Sequence, residues 1–121
     1  MGSRPEELRE RTKKFALRVI RLFRSLPFRT DTQVLGKQLL RSGTSVAANY
    51  RAVCRSRSKA EFIARIGIVA EEADESVLWL ELLIESGVVA PEKASDLLAE
   101  AKELSAILTA SQQTSRKGSK L

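Results

Sequence analysis

Apolar residues recur every three or four positions along most of the chain, the spacing that places them on one face of an α-helix. Leu8, Phe15, Val19, Leu22 and Leu26 form a first stripe, widened by Ala16 and Phe23. Leu35, Leu39, Val46, Tyr50 and Val53 form a second. Phe62, Ile66, Val69, Ala73, Val77, Leu80 and Ile84 form a third, and Leu97, Ala101, Leu104 and Leu108 a fourth. Four such stripes with short connections predict an all-α fold, an antiparallel up-down-up-down four-helix bundle.

The ends of these helices carry their own signals. Ser3…Glu6, Thr30…Gln33 and Ser58…Glu61 each place a Ser or Thr three residues before a Glu or Gln, the capping-box spacing. Pro91 suits a first helical turn, Leu26-Pro27 closes the first helix, and Gly87 supplies a left-handed cap after the third. The predicted helices cover residues 4–25, 31–55, 58–86 and 91–112. Residues 1–110 then form the bundle, and residues 111–121, rich in Ser, Gln and Lys, a basic flexible tail.

The faces turned away from the stripes differ between helices. Helix 3 carries Ala64, Ile68, Glu71, Glu75, Leu78, Trp79 and Leu82 opposite its core stripe, so it has no fully polar side. A helix apolar on two faces must be covered on both. An oligomer interface made by Ile68, Glu71, Glu75, Leu78, Trp79 and Leu82 is the expected cover, with Trp79 as anchor. The alternative is partial cover from the loop around Gly87 or from the C-terminal tail. Mid-helix 2, Ser42-Gly43-Thr44-Ser45-Val46-Ala47-Ala48-Asn49 is rich in small residues that weaken helix propensity, which predicts a close helix–helix approach. Asn49 and Ser45 project off the stripe, either as buried hydrogen-bonding groups or as ligand contacts. Cys54 reads as a small core residue.

Charge is split along the 121 residues. Residues 1–59 hold 15 Lys/Arg against 4 Asp/Glu, residues 60–110 hold 3 against 11, and the overall balance is +6. On helix 1, Lys14, Arg18 and Arg21 lie opposite the stripe, flanked by Lys13 and Arg24. On helix 2, Lys37, Arg41, Arg51 and Arg55 share a sector, and Arg57 and Lys59 follow in the turn. Like charges on adjacent helices repel, so an anion must compensate them. Phosphate backbones are one source, and the acidic residues of the same fold are the other. No aromatic platform interleaves these basic groups, so neither base stacking nor sequence readout is expected.

The chain has no histidine and one cysteine. The usual general base, the triad histidine and the common zinc ligands are therefore missing, and no Gly-rich phosphate loop is present. No enzymatic activity, cofactor or metal is expected. The longest apolar-rich run, Val77 to Ile84, contains Glu81 and is too short for a bilayer. The N-terminus lacks the apolar run of a signal peptide, which points to the cytoplasm.

Two segments carry a family resemblance. The first is Gln38-Leu39-Leu40-Arg41-Ser42 through Ser45-Val46-Ala47-Ala48-Asn49-Tyr50-Arg51, then Arg55-Ser56-Arg57-Ser58 and Glu61-Phe62. The second is Val69-Ala70-Glu71-Glu72-Ala73-Asp74-Glu75 followed by Leu78-Trp79-Leu80-Glu81-Leu82-Leu83. Together they resemble the four-helix bundle proteins first noticed in intervening sequences of large-subunit ribosomal RNA genes, over about residues 10–110. The resemblance implies a homopentameric ring with a central channel. It also implies kinship with the accessory variability determinant of diversity-generating retroelements, a basic pentamer that binds nucleic acid and a reverse transcriptase. The partners so implied are further copies of this chain, nucleic acid, and a reverse transcriptase or another protein. Many relatives carry an acidic residue and a glycine shortly after the asparagine. Here Asn49 is followed by Tyr50-Arg51-Ala52-Val53, which makes the segment more basic.

These observations point to a non-enzymatic, homo-oligomeric helical adaptor. Its nucleic-acid contacts would be Lys13, Lys14, Arg18, Arg21, Arg24, Lys37, Arg41, Arg51, Arg55, Arg57 and Lys59. A protein scaffold that docks an acidic partner is the alternative. A third reading makes Asn49, Arg51 and the Glu71, Glu72 and Glu75 carboxylates a small-molecule or catalytic site.

Overall fold

The computed structural model describes residues 4–119. It contains four helices, α1 (Arg4–Ser25), α2 (Thr30–Val53), α3 (Lys59–Glu85) and α4 (Pro91–Ser119), and no strand among the described residues. Each helix packs against its neighbour in sequence, and α1 closes on α4 across the sparsest seam, so the helices form a closed cycle. The core lies along the cycle's axis. Phe15, Val19, Leu39, Val46, Ile66, Val69, Leu80, Leu83, Leu104 and Leu108 are almost completely buried there. Each fully buried side chain of this kind contributes about 1.5–3 kcal/mol.

Small residues set how closely the helices approach. A Cβ on Gly43 would stand 2.8 Å from Val19 Cγ2, so α1 and α2 pack backbone to side chain at that point. On its other side α2 meets α3 through a buried hydrogen bond, Ser42 Oγ to Ser76 Oγ, 2.8 Å. The small-residue segment therefore serves helix packing. Both hydroxyls stay satisfied: one donates across to the other, which accepts and gives its own proton to a carbonyl of its helix, Leu39 for Ser42 or Glu72 for Ser76.

The helix ends agree with three of the sequence signals. Ser58 Oγ accepts from the Glu61 backbone N–H at 3.1 Å. Gly87 adopts φ +84° and lets Val89 N–H reach the Leu83 carbonyl at 3.0 Å. Pro91 opens α4. The Thr30…Gln33 box is not formed: Thr30 is already helical, Arg29 holds the N-cap position without a side-chain cap, and the Gln33 N–H that the box would give to the Thr30 hydroxyl bonds the Arg29 carbonyl at 2.8 Å. Ser3 of the first box lies outside the described residues.

α4 also runs on to Ser119, past the expected end at residue 112. α3 is 27 residues long, and a partner beginning beside its end needs similar length to cover it. Gln112 Nε2 donates to the Ile63 carbonyl at 3.2 Å, and a Cβ on Gly67 would collide with that amide. The segment expected as a loose tail is thus the last turns of α4 against the first half of α3. Lys120 and Leu121 lie outside the described residues. No helix among the described residues is long and apolar enough to cross a membrane.

Candidate nucleic-acid interface

At 100° per residue, the α1 cations fall on two sides of the helix. Arg18 and Arg21 point toward α4, where they line a groove with Glu92, Lys93 and Asp96. Lys13 and Arg24 are eleven residues apart, about three turns, and share one exposed face of α1. Arg9 meets α2 and the turn after it, lining a groove with Arg51, Arg55, Glu10 and Cys54. Lys37 and Arg51 are exposed on α2, Arg55 and Arg57 in the turn after it, and Lys59 at the start of α3. Lys13, Lys14, Arg21 and Arg24 are exposed and Arg18 is half-buried. Within the described residues none of these predicted contacts forms a salt bridge.

Arg41 is different. Its guanidinium bonds Glu72 at 3.1 Å and Glu75 on α3 of the same chain, which raises its pKa, the Glu75 hydrogen bond first. Glu75 also accepts from Trp79 Nε1 at 3.1 Å. Arg11 forks onto Glu100 of α4 at 2.8 and 2.7 Å and reaches Glu103 at 3.0 Å. Arg65 pairs with Glu61 and caps α2 through the Ala52 carbonyl at 2.8 Å. The acidic half therefore neutralises selected cations only, and the α1–α2 seam keeps its positive charge.

The predicted interface residues of α3 separate in the same way. Ile68, Leu78 and Leu82 are exposed apolar residues, and Glu71 is exposed beside them. Trp79 is half-buried against the core and, with Glu75, tied to Arg41 within the chain. Asn49 Nδ2 donates to the Ser45 carbonyl at 3.0 Å and to Ser45 Oγ at 2.7 Å, so both close on their own helix.

Cys54 is exposed, contrary to the expected core position. The buried stripe of α2 ends at Val53, and Cys54 is the C-cap, where the chain turns away. Its neighbours in the groove are Arg9, Arg51 and Arg55 together with Glu10. No group of three or more His, Cys, Asp or Glu among the described residues could hold a metal ion.

Phe28 escaped the periodicity analysis. It stands in the turn between α1 and α2, 94% exposed, in a shallow apolar groove with Arg29, Thr30, Gln33, Val34 and Lys37. An aromatic ring does therefore sit among the basic groups. The available signal was its place between Pro27 and Arg29, outside every buried stripe.

The family model of the 23S rRNA-intervening sequence proteins matches residues 6–110. This chain belongs to that family. All the cations of the seam lie within the matched segment. The crystal structure of a protein of unknown function from the S23 ribosomal protein family of Bacteroides thetaiotaomicron VPI-5482 superposes with a TM-score of 0.83 at 31% sequence identity. The match covers 92% of this chain and 99% of that one. No curated protein matches the chain.

Proposed function

We propose that this member of the family is a non-enzymatic cytoplasmic adaptor that binds the backbone of RNA or DNA, working as a homo-oligomer. The observation that carries the reading is the basic surface of α1, α2 and the turn after α2, where Lys13, Arg24, Lys37, Arg51, Arg55 and Arg57 are exposed without salt bridges among the described residues. Three other guanidinium groups, those of Arg11, Arg41 and Arg65, are each met by a carboxylate. Uncompensated cations on one surface are the footprint of a polyanion, whose phosphates they neutralise with release of counterions. Backbone contacts of this kind position a strand and carry little sequence information.

The bundle reading adds helices of alternating direction. Gly36 faces Leu26 while Gly43 faces Val19, and Ser42 meets Ser76 while Ala52 meets Arg65. Arg11 meets Glu100 while Arg18 shares its groove with Glu92. In each case residue numbers rise on one helix as they fall on its neighbour, which supports an antiparallel up-down-up-down bundle. The apolar row Ile68, Leu78 and Leu82 supports self-association, and the pentameric state is the one the family resemblance implies. A ring would repeat the seam on every subunit and raise avidity on a long strand.

Reversing Lys13, Arg24, Arg51 and Arg55 to Glu tests the assignment by fluorescence anisotropy with a labelled nucleic acid. The variant should lose binding with its helical circular dichroism intact, because these side chains touch solvent. Undiminished binding would exclude this seam as the contact surface.

A further inference from the structure

We infer that the α1–α2 turn is a stacking site for an unpaired base, making the protein a binder of single-stranded segments at the end of its basic seam. This rests on the backbone-binding reading above and adds the class of strand to it. A phenyl ring 94% in water gains nothing for folding, and Val34 beside it is 57% exposed. An exposed ring of this size exchanges its hydration for any flat apolar partner.

The surroundings favour a nucleotide over a peptide side chain. Lys37 lines the same groove without a salt bridge among the described residues, and Arg29 with only a loose, exposed contact to Asp31, so the phosphate of a stacked nucleotide meets a cation there. Thr30 and Gln33 also line it and offer a hydroxyl and a side-chain amide to the polar edge of a base. Asp31 is the acidic residue of this turn, and it is engaged by Arg29 at 3.7 Å. An aromatic face beside a cationic track is the arrangement by which sequence-tolerant proteins hold single strands. Duplex bases are already stacked on one another, so only an unpaired base can use the ring.

The test compares Phe28→Ala and Phe28→Trp with the wild type, each titrated with a labelled oligo-dT strand and with a duplex of equal charge. Loss of one stacking contact should weaken Phe28→Ala on oligo-dT by about tenfold or more and leave duplex affinity unchanged. Phe28→Trp should restore single-strand affinity, since a larger ring stacks at least as well. If Phe28→Ala binds both probes as the wild type does, the stacking site is wrong, the backbone reading stands, and the exposed ring belongs to a protein contact. Equal weakening on both probes would also overturn it, because stacking cannot act on a closed duplex. If the wild type binds neither probe, this inference and the reading beneath it both fail.

Discussion

Gly43 and Gly36 face α1 seven residues apart on α2, yet their neighbours answer a new methyl group differently. At Gly43 a Cβ would press on two Val19 methyl carbons, 2.8 and 3.0 Å away, on a fully buried β-branched side chain that cannot swing aside. At Gly36 the nearest atom is the terminal Cδ1 of half-buried Leu26, just beyond the end of α1, which can rotate. Alanine gains up to about 1 kcal/mol of helix propensity at either site, whereas overpacking a rigid core costs about 1–3 kcal/mol. Gly43→Ala should therefore destabilise by about 1 kcal/mol in urea unfolding, and Gly36→Ala should change stability by less than about 0.5 kcal/mol. Tyr50, the single tyrosine, tests its burial by titration. Burial, with Cys54 beside it, pushes its phenol up to about 12. Absorbance near 295 nm should show a midpoint near that value in the folded protein and near the ordinary value of about 10 in denaturant. A raised value means the fold favours the neutral phenol. Its contribution to stability is complete below pH of about 10 and is lost as pH rises through the folded value.

Helix α1 is held to α4 over the sparsest of the four seams, and the Arg11 fork onto Glu100 with Glu103 is its main polar tie. Arg11→Met should cost about 1–2 kcal/mol, the lower part of the range for charged hydrogen bonds because the guanidinium is one-third exposed. Amide exchange should speed up first in α1, and unchanged exchange there would show that apolar packing alone holds the seam. The elements were legible because buried stripes repeat with the helical period: Val19, Val46, Val69 and Leu104 sit where that period puts them. The Thr30 cap and the end of α4 were not, because each turns on single hydrogen bonds, whereas the Ser58, Gly87 and Pro91 signals held. The Arg29 carbonyl takes the Gln33 amide, so Thr30 never caps, and Gln112 finds the Ile63 carbonyl only because Gly67 leaves room for it. Polar composition alone could not foretell that α4 continues. Site legibility followed the same rule. The exposed cations could be read from angular position, whereas the pairing of Arg41 with Glu72 and Glu75 depends on how α2 and α3 pack.

The whole molecule carries two uncovered features, the apolar row of α3 and the cationic seam of α1 and α2. The first predicts self-association: wild-type protein should sediment as an oligomer at micromolar concentration, and Leu78→Glu should release monomers by burying an unpaired charge. Leu78 suits this test better than Trp79, which the chain itself half covers. The second is the central claim, that this surface neutralises nucleic-acid phosphates. It is tested most directly by titrating the intact protein with a labelled duplex of mixed sequence at two salt concentrations. Each phosphate neutralised adds about 0.9 to the slope of log affinity against log salt. Engagement of four phosphates would then weaken binding about a hundredfold between about 50 and 200 mM salt. Salt-independent affinity, or no binding of either this duplex or a single strand at the lower salt, would contradict the account.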